Sequence, residues 1–232
     1  MPGLMEAEDD GLYVVKFRGA GQGPKALVAE VLAGELGRGL GLGVPDVALV
    51  DVDPELARAE PDPEVQDLIR ASAGINFGVD FLPGALTFDP ASDPAPDADL
   101  AASLVWLDAL VMNVDRTPRN PNLLVWHGRL WPIDHGAAFY QQHGDWHPEE
   151  DWARPFPAIR DHVLLPYAGP IADVDERLAA ELDDPTLAAI VDLVPEEWLA
   201  GRRRAEYLEW LARRLRAPRG FAEEAERART GA

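Results

Sequence analysis

The chain has 232 residues, 47% of them apolar, with 41 acidic side chains against 21 basic ones and no cysteine. That length and apolar content can bury a real core and exclude global disorder, whereas a net charge of -20 argues against general nucleic-acid binding and against docking on anionic membranes, both of which rest on Lys and Arg. There can be no disulfide, thiolate zinc site or cysteine nucleophile; MPGLMEAEDD does not read as a signal peptide and no apolar run approaches the ~20 residues of a membrane helix, so a soluble, cytoplasmic protein is expected.

In chain order, LYVVKF (12–17) is β-branched and apolar and reads as a strand, broken by RGAGQGP. From Lys25 to Leu40 the residues Leu27, Val28, Val31, Leu32, Leu36 and Leu40 recur at helical spacing, with Pro24 placed for a first turn. VPDVALVDV (44–52) reads as a strand, residues 54–70 as a weak acidic helix, and GINFGVDFLPGALTF (74–88) as strand interrupted by Gly and Pro. FDPASDPAPDAD (88–99) is a linker. Leu100, Leu104, Leu107 and Val111 then predict a helix, and NLLVW and RLWPID, separated by His127-Gly128, predict a hairpin. Helices are expected over 173–182, 186–194 and 196–216, and no internal repeat is visible. The layout is a two-lobed α+β fold: a sheet-containing lobe over 1–88, a linker over 89–98, and a helix-rich lobe over 99–232.

The residues with chemistry gather at the junction. In NVDRTPRNPNLLVWHGRLWPIDHG (113–136), Asp115 follows a helix and leads Asn120 by five positions, and Asp134 ends the hairpin. Phosphoryl transfer from ATP needs a carboxylate beside the attacking hydroxyl and oxygen ligands that hold Mg²⁺ on the phosphates, and this set supplies both. It also needs a strand lysine at the phosphates, oriented by a carboxylate on the next helix, and Lys16 in YVVKF is such a lysine. Taken singly, each feature has a plainer reading: Asp-Pro-Asn loops cap turns, Lys16 is a solvated strand end, and Ile133-Asp134-His135-Gly136 is an Asp-capped turn. A structural loop, however, has no need to reproduce their order and spacing.

VVKFRGAGQGPKALVAEVLAGELGRGLGLGVP and DALVMNVDRTPRNPNLLVWHGRLWPIDHGAAF together resemble the HipA-like kinases, a branch of the protein-kinase-like and phosphatidylinositol-kinase-like fold, over about residues 11–140. The resemblance implies that Asp115 is the hydroxyl-orienting base, that Asn120 and Asp134 hold the metal, and that Lys16 contacts the ATP phosphates. It implies a hinge near 79–84 in which backbone groups of Phe81 and Leu82 bind adenine. A relative with this constellation is a protein Ser/Thr kinase that acts as a toxin, which makes a protein hydroxyl the default acceptor and a small molecule the alternative.

The chain departs from that pattern in three places. Fifteen residues precede Lys16 and hold about one complete strand, so the Gly-rich hairpin over the ATP phosphates is expected to be cut short or absent. Gly19, Gly21 and Gly23 would then substitute through backbone N–H groups at a helix start. For the partner of Lys16 the resemblance selects Glu30, whereas the helical wheel puts Glu35 within the apolar arc; Glu30 is preferred and Glu35 held in reserve. HGDWHPEE (143–150) resembles the catalytic loop of aminoglycoside phosphotransferases, but Glu150 stands where an Asn is required, and the segment is expected to be a loop on the substrate side. Two other functions are compatible with the sequence. His127, His135, His143, Asp145 and His147 together suggest a metal-dependent hydrolase, and the short N-terminus suggests a pseudokinase that uses its cleft to sense nucleotide.

Overall fold

The computed structural model describes residues 2–21, 23–91 and 94–231. Gln22 of the glycine-rich run and Ser92 and Asp93 of the expected linker lie outside the described residues. The fold is a mixed α+β, kinase-like arrangement with two small antiparallel sheets and most of its helices in the C-terminal part.

The first sheet has the order β1-β2-β4-β3, from β1 (Pro2–Glu6), β2 (Leu12–Lys16), β3 (Val47–Val52) and β4 (Gly74–Asp80). β1 was not read from the sequence, because PGLME lacks β-branched residues; it pairs with β2 from Pro2 opposite Lys16 to Glu6 opposite Leu12. The tip of this hairpin is acidic and closes on itself, with the Asp9 carboxylate accepting from the Gly11 N–H at 2.9 Å and the Tyr13 hydroxyl at 2.8 Å. β3 starts at Val47 and not at Val44 as expected.

Between β2 and β3 runs α1 (Pro24–Gly39), with Gly23 as its N-cap at φ 67 and Pro24 as its first residue. Proline costs nothing there, since the first helical N–H has no acceptor. α1 packs against β3 and β4 on one side and against α3 (Ala98–Val111) and α6 (Asp184–Asp192) on the other, so one apolar core runs from the sheet into the helices. A smaller cluster of Val15, Phe17, Val52, Ala57 and Ile69 includes a residue of α2 (Pro63–Ala71).

α3 is apolar on all sides, as expected of a central helix. Its start is fixed by the Asp97 carboxylate, which accepts from the Asp99 and Leu100 N–H groups, and its end by Met112 at φ 54. The second sheet is β5 (Leu86–Thr87), β6 (Leu123–Trp126) and β7 (Arg129–Pro132); β5 lies before the expected linker and pairs across it with β6.

The tail holds a short α4 (Pro148–Asp151), α5 (Ile171–Glu181), α6, α7 (Arg204–Arg214) and α8 (Gly220–Thr230). The single helix expected over 196–216 is broken: Ala200 and Gly201 both take positive φ, which ends a 3-10 turn at Glu196–Trp198 and re-aims the chain into α7. α8 was not anticipated; its apolar signal is confined to Phe221, Ala222 and Ala225, which face α3 and α5.

Candidate active site

Lys16 is the last residue of β2 and Glu30 a buried residue in the second turn of α1, so the strand-to-helix connection places one against the other. That connection is pinned to β4 and to the end of α2: the Arg18 N–H donates to Asn76 Oδ1 at 2.8 Å and the Gly19 N–H to Ser72 Oγ at 3.1 Å. Lys16 Nζ donates to Glu30 Oε1 and, at 2.6 Å, to Asp134 Oδ1. The other carboxylate oxygen of Glu30 accepts from the His135 backbone N–H at 2.9 Å. One buried glutamate therefore holds both the lysine and the Asp134-His135-Gly136 loop. Glu35, held in reserve as the lysine partner, instead meets Arg38 at 3.4 Å. Gly136 leaves room for this clasp, since a Cβ there would stand 2.9 Å from Glu30 Oε1.

The charges shift one another. Burial alone would lower the Lys16 pKa, but the Glu30 and Asp134 carboxylates outweigh it and hold the ammonium above its ordinary value. For Asp134 burial pulls upward and Lys16 downward, and Lys16 prevails, so the carboxyl stays below the usual range. Burial pushes Glu30 up, against the attraction of Lys16.

The loop after α3 presents Asp115. Its backbone N–H donates to Asn113 Oδ1 at 3.1 Å, and its Oδ2 accepts from Asn120 Nδ2 at 2.8 Å and Asn122 Nδ2 at 3.4 Å. Oδ1 has no protein partner among the described residues. Thr117 and Asn120 exchange backbone hydrogen bonds of 3.0 Å in each direction, which makes the five-residue spacing a closed turn.

Beneath both loops lies a buried polar network that sequence reasoning missed. Arg116 donates to Asp108 Oδ2 at 2.5 Å, to the Asn122 carbonyl, to the Ile133 carbonyl at 3.2 Å and to His135 Nδ1 at 3.1 Å. It therefore ties the Asp115 loop to the Asp134 loop and both to α3. His162 Nε2 donates to the same Asp108 oxygen at 2.8 Å, and its Nδ1 accepts from the Leu164 N–H at 3.0 Å. Burial opposes the Asp108 charge, yet Arg116 and His162 hold its carboxyl far below the usual carboxylate range. Burial, aided by Arg116, pushes His135 down to about 3. Asp108 had a sequence signal, as the one charged residue among the apolar positions of 100–111; His162 had none.

Lys16, Gly21, Gly23, Glu30, Asp115 and Asp134 all line one cleft of about 270 Å³. Phe81 and Leu82 follow β4 and are not among its lining residues; the Phe81 N–H donates to the Leu12 carbonyl at 2.9 Å and the Leu82 carbonyl accepts from the Ala85 N–H at 3.2 Å. The histidines of the hydrolase reading are scattered. His127 packs on Trp126 at the hairpin turn, His135 is buried on Arg116, and the His147 ring meets the exposed Asp145 at 3.2 Å while its backbone N–H donates to Asp151 at 3.0 Å. Among the described residues no group of three His, Cys, Asp or Glu comes together in a way that could hold a metal. In HGDWHPEE Trp146 and Pro148 are buried, Trp146 against Tyr207 and Trp210.

A family model described as HipA-like kinase matches residues 1–209 of the 232. The chain belongs to the HipA-like kinase family. Membership makes it a kinase-type phosphotransferase. No curated protein matches this kinase. Among its described residues no helix is long and apolar enough to cross a membrane.

Proposed function

We propose that this kinase transfers the γ-phosphate of ATP, with Mg²⁺, to a hydroxyl group, in the first instance that of a protein Ser or Thr. The observation that carries the reading is the convergence on one cleft of a lysine bridged to Glu30 and Asp134, a carboxylate at Asp115 with a free oxygen, and a glycine turn leading into α1.

The donor set fits the cofactors. Asp134 and Asn120 supply hard oxygen ligands of the kind Mg²⁺ takes, and Lys16 and the Gly21 N–H supply the positive charge and the backbone donor that phosphates take, while the Gly23 N–H is held by the Ala20 carbonyl at 2.9 Å. Bound there, Mg²⁺ would neutralise charge that develops on the transferred group. Asp115 orients the acceptor hydroxyl and receives its proton at Oδ1, while Asn120 and Asn122 hold Oδ2 and so fix the direction of the carboxylate. Glu30 keeps Lys16 extended toward the cleft and, through the His135 N–H, keeps Asp134 in register with it. Asp134 takes a positive φ of 53°, a strained conformation that the two flanking clasps maintain. The backbone groups of Phe81 and Leu82 not already engaged, the Phe81 carbonyl and the Leu82 N–H, are assigned to adenine, and residues 1–88 and 99–232 are assigned as lobes on either side of it.

The test is incubation of the purified chain with γ-labelled ATP and Mg²⁺, with cell extract as one acceptor source and small alcohols as another. Label in protein supports the reading, and label in the alcohols alone moves the acceptor class. Nucleotide binding without transfer would establish the nucleotide-sensing alternative, and absence of any ATP binding would overturn both.

A further inference from the structure

Outside the cleft, the clearest unused chemistry lies at the junction of α7 and α8. A cavity of about 490 Å³ opens there, lined by Arg213, Arg214 and Arg216 with Trp152, Pro218 and Phe221, and it shares no residue with the Lys16 cleft. In a chain of net charge -20, arginines should find carboxylates readily, and most do. Arg214 and Arg216 have none within ion-pair reach among the described residues.

Arg214 is the more telling of the two. It is 4% exposed, its guanidinium lies between the rings of Trp210 and Phe221 at 4.8 and 5.2 Å, and four of its five N–H donors go to the neutral carbonyls of Ala109, Leu110, Trp152 and Arg154. Its hydrogen bonds are nearly satisfied, but no carboxylate pairs with it directly: Glu224 attracts the guanidinium from beyond ion-pair reach and offsets only part of the cost of burying its charge. The carbonyls of Ala109 and Leu110 belong to the C-terminus of α3, whose partial negative charge offsets about half a unit at most. Burial pushes the Arg214 pKa down to about 10, against the attraction of Glu224. The remaining Nη2–H, the Arg216 guanidinium and the first two N–H groups of α8, on Gly220 and Phe221, have no acceptor among the described residues, and these residues border the same space. Arg213 is already engaged with Glu209 at 2.5 Å and the Glu149 carbonyl at 2.8 Å, so it borders the cavity as a fixed charge.

We infer that this cavity binds a small phosphate monoester with a planar apolar body, the phosphoryl group meeting Arg216, Arg214 and the α8 N-terminus and the body lying against Trp152, Phe221 and Pro218. A dianionic head suits a cluster of arginines and helix N–H groups better than a single carboxylate does, and the cavity volume is that of a small-molecule site. The inference stands apart from the proposed reaction at Lys16.

Phenyl phosphate, inorganic phosphate and phenol would be titrated calorimetrically into the intact chain, into an Arg213→Ala/Arg216→Ala variant and into Lys16→Met. Phenyl phosphate is expected to bind ~10-fold or more tightly than inorganic phosphate or phenol, to lose ~10-fold or more in the arginine variant, as removal of charge-assisted hydrogen bonds requires, and to bind Lys16→Met unchanged. Arg213 is half-buried on α7 and Arg216 is exposed just past its end, and Arg216→Glu, which reverses one charge and removes no packing, serves in its place should the double variant fail to fold. Equal binding by the arginine variants, loss in Lys16→Met alone, or no heat at millimolar phenyl phosphate would each overturn the assignment.

Discussion

Arg116→Met removes the hub beneath the two loops while keeping the apolar length of the side chain. Arg116 and Asp108 are both fully buried, so the substitution leaves a carboxylate in the core with the neutral Asn113 amide and His162 as its side-chain partners, removes one donor from the Asn122 carbonyl, and strips the Ile133 carbonyl and the Nδ1 of His135 of theirs. Breaking a buried pair from one side costs ~3–5 kcal/mol, which for a chain of this size is a fall of roughly 6–20 °C in Tm. Asp108→Asn in the same background removes the stranded charge and should recover a large part of the loss, giving a coupling energy of ~1–3 kcal/mol in the double-mutant cycle. Urea unfolding monitored by tryptophan fluorescence at neutral pH measures all four corners. A cost below ~1 kcal/mol for Arg116→Met, or strictly additive effects, would show that the network is not what holds the loops, because a buried charge cannot lose its main partner cheaply.

The site residues divide by role. Asp115→Asn should leave nucleotide binding intact while lowering kcat by ~10² or more, whereas Asp134→Asn and Lys16→Met should weaken nucleotide affinity as well, and equal affinities for all three in calorimetry would undo the division. Gly136→Ala places a methyl against Glu30 Oε1, at the 2.9 Å approach noted above; it should displace the carboxylate from Lys16 and depress transfer with little change in Tm, and unchanged kcat would refute the clasp. His135 and His162 both have folded pKa values below the ordinary one. Their unfolded forms therefore bind more protons, and the stability they contribute is complete above about pH 6.5 and lost as pH falls through their folded values, toward about 3 for His135. Urea midpoints should drop between about pH 7.5 and about pH 5, and His135→Gln should flatten that slope; a midpoint indifferent to pH in that range would contradict burial of the neutral rings.

Lys16, Asp115, Asn120 and Asp134 could be singled out in the sequence by their order and spacing, and the structure brings Lys16, Asp115 and Asp134 to one cleft with Asn120 bonded to Asp115; the hairpin between Asn122 and Asp134 showed in its two apolar runs around His127-Gly128. The choice between Glu30 and Glu35 was not settled by the apolar arc: α1 is packed against the sheet on one side and helices on the other, so a helix wheel has no single buried face to point to. Residues 196–216 kept an apolar rhythm through Ala200-Gly201, yet two positive φ values there break the helix, a matter of backbone conformation that periodicity does not register.

What the sequence determined by itself was the α+β class, the extent of α1 and α3, and the identity of the chemical groups, all of which follow from local spacing and residue type. Tertiary structure alone decided that Glu30 reaches both Lys16 and His135, that Arg116, anchored on Asp108, joins two loops, and that among the described residues Arg214 and Arg216 have no carboxylate within ion-pair reach. Those are pairings between residues distant in the chain, fixed by where burial removes water and so forces each charge to find a partner or go without.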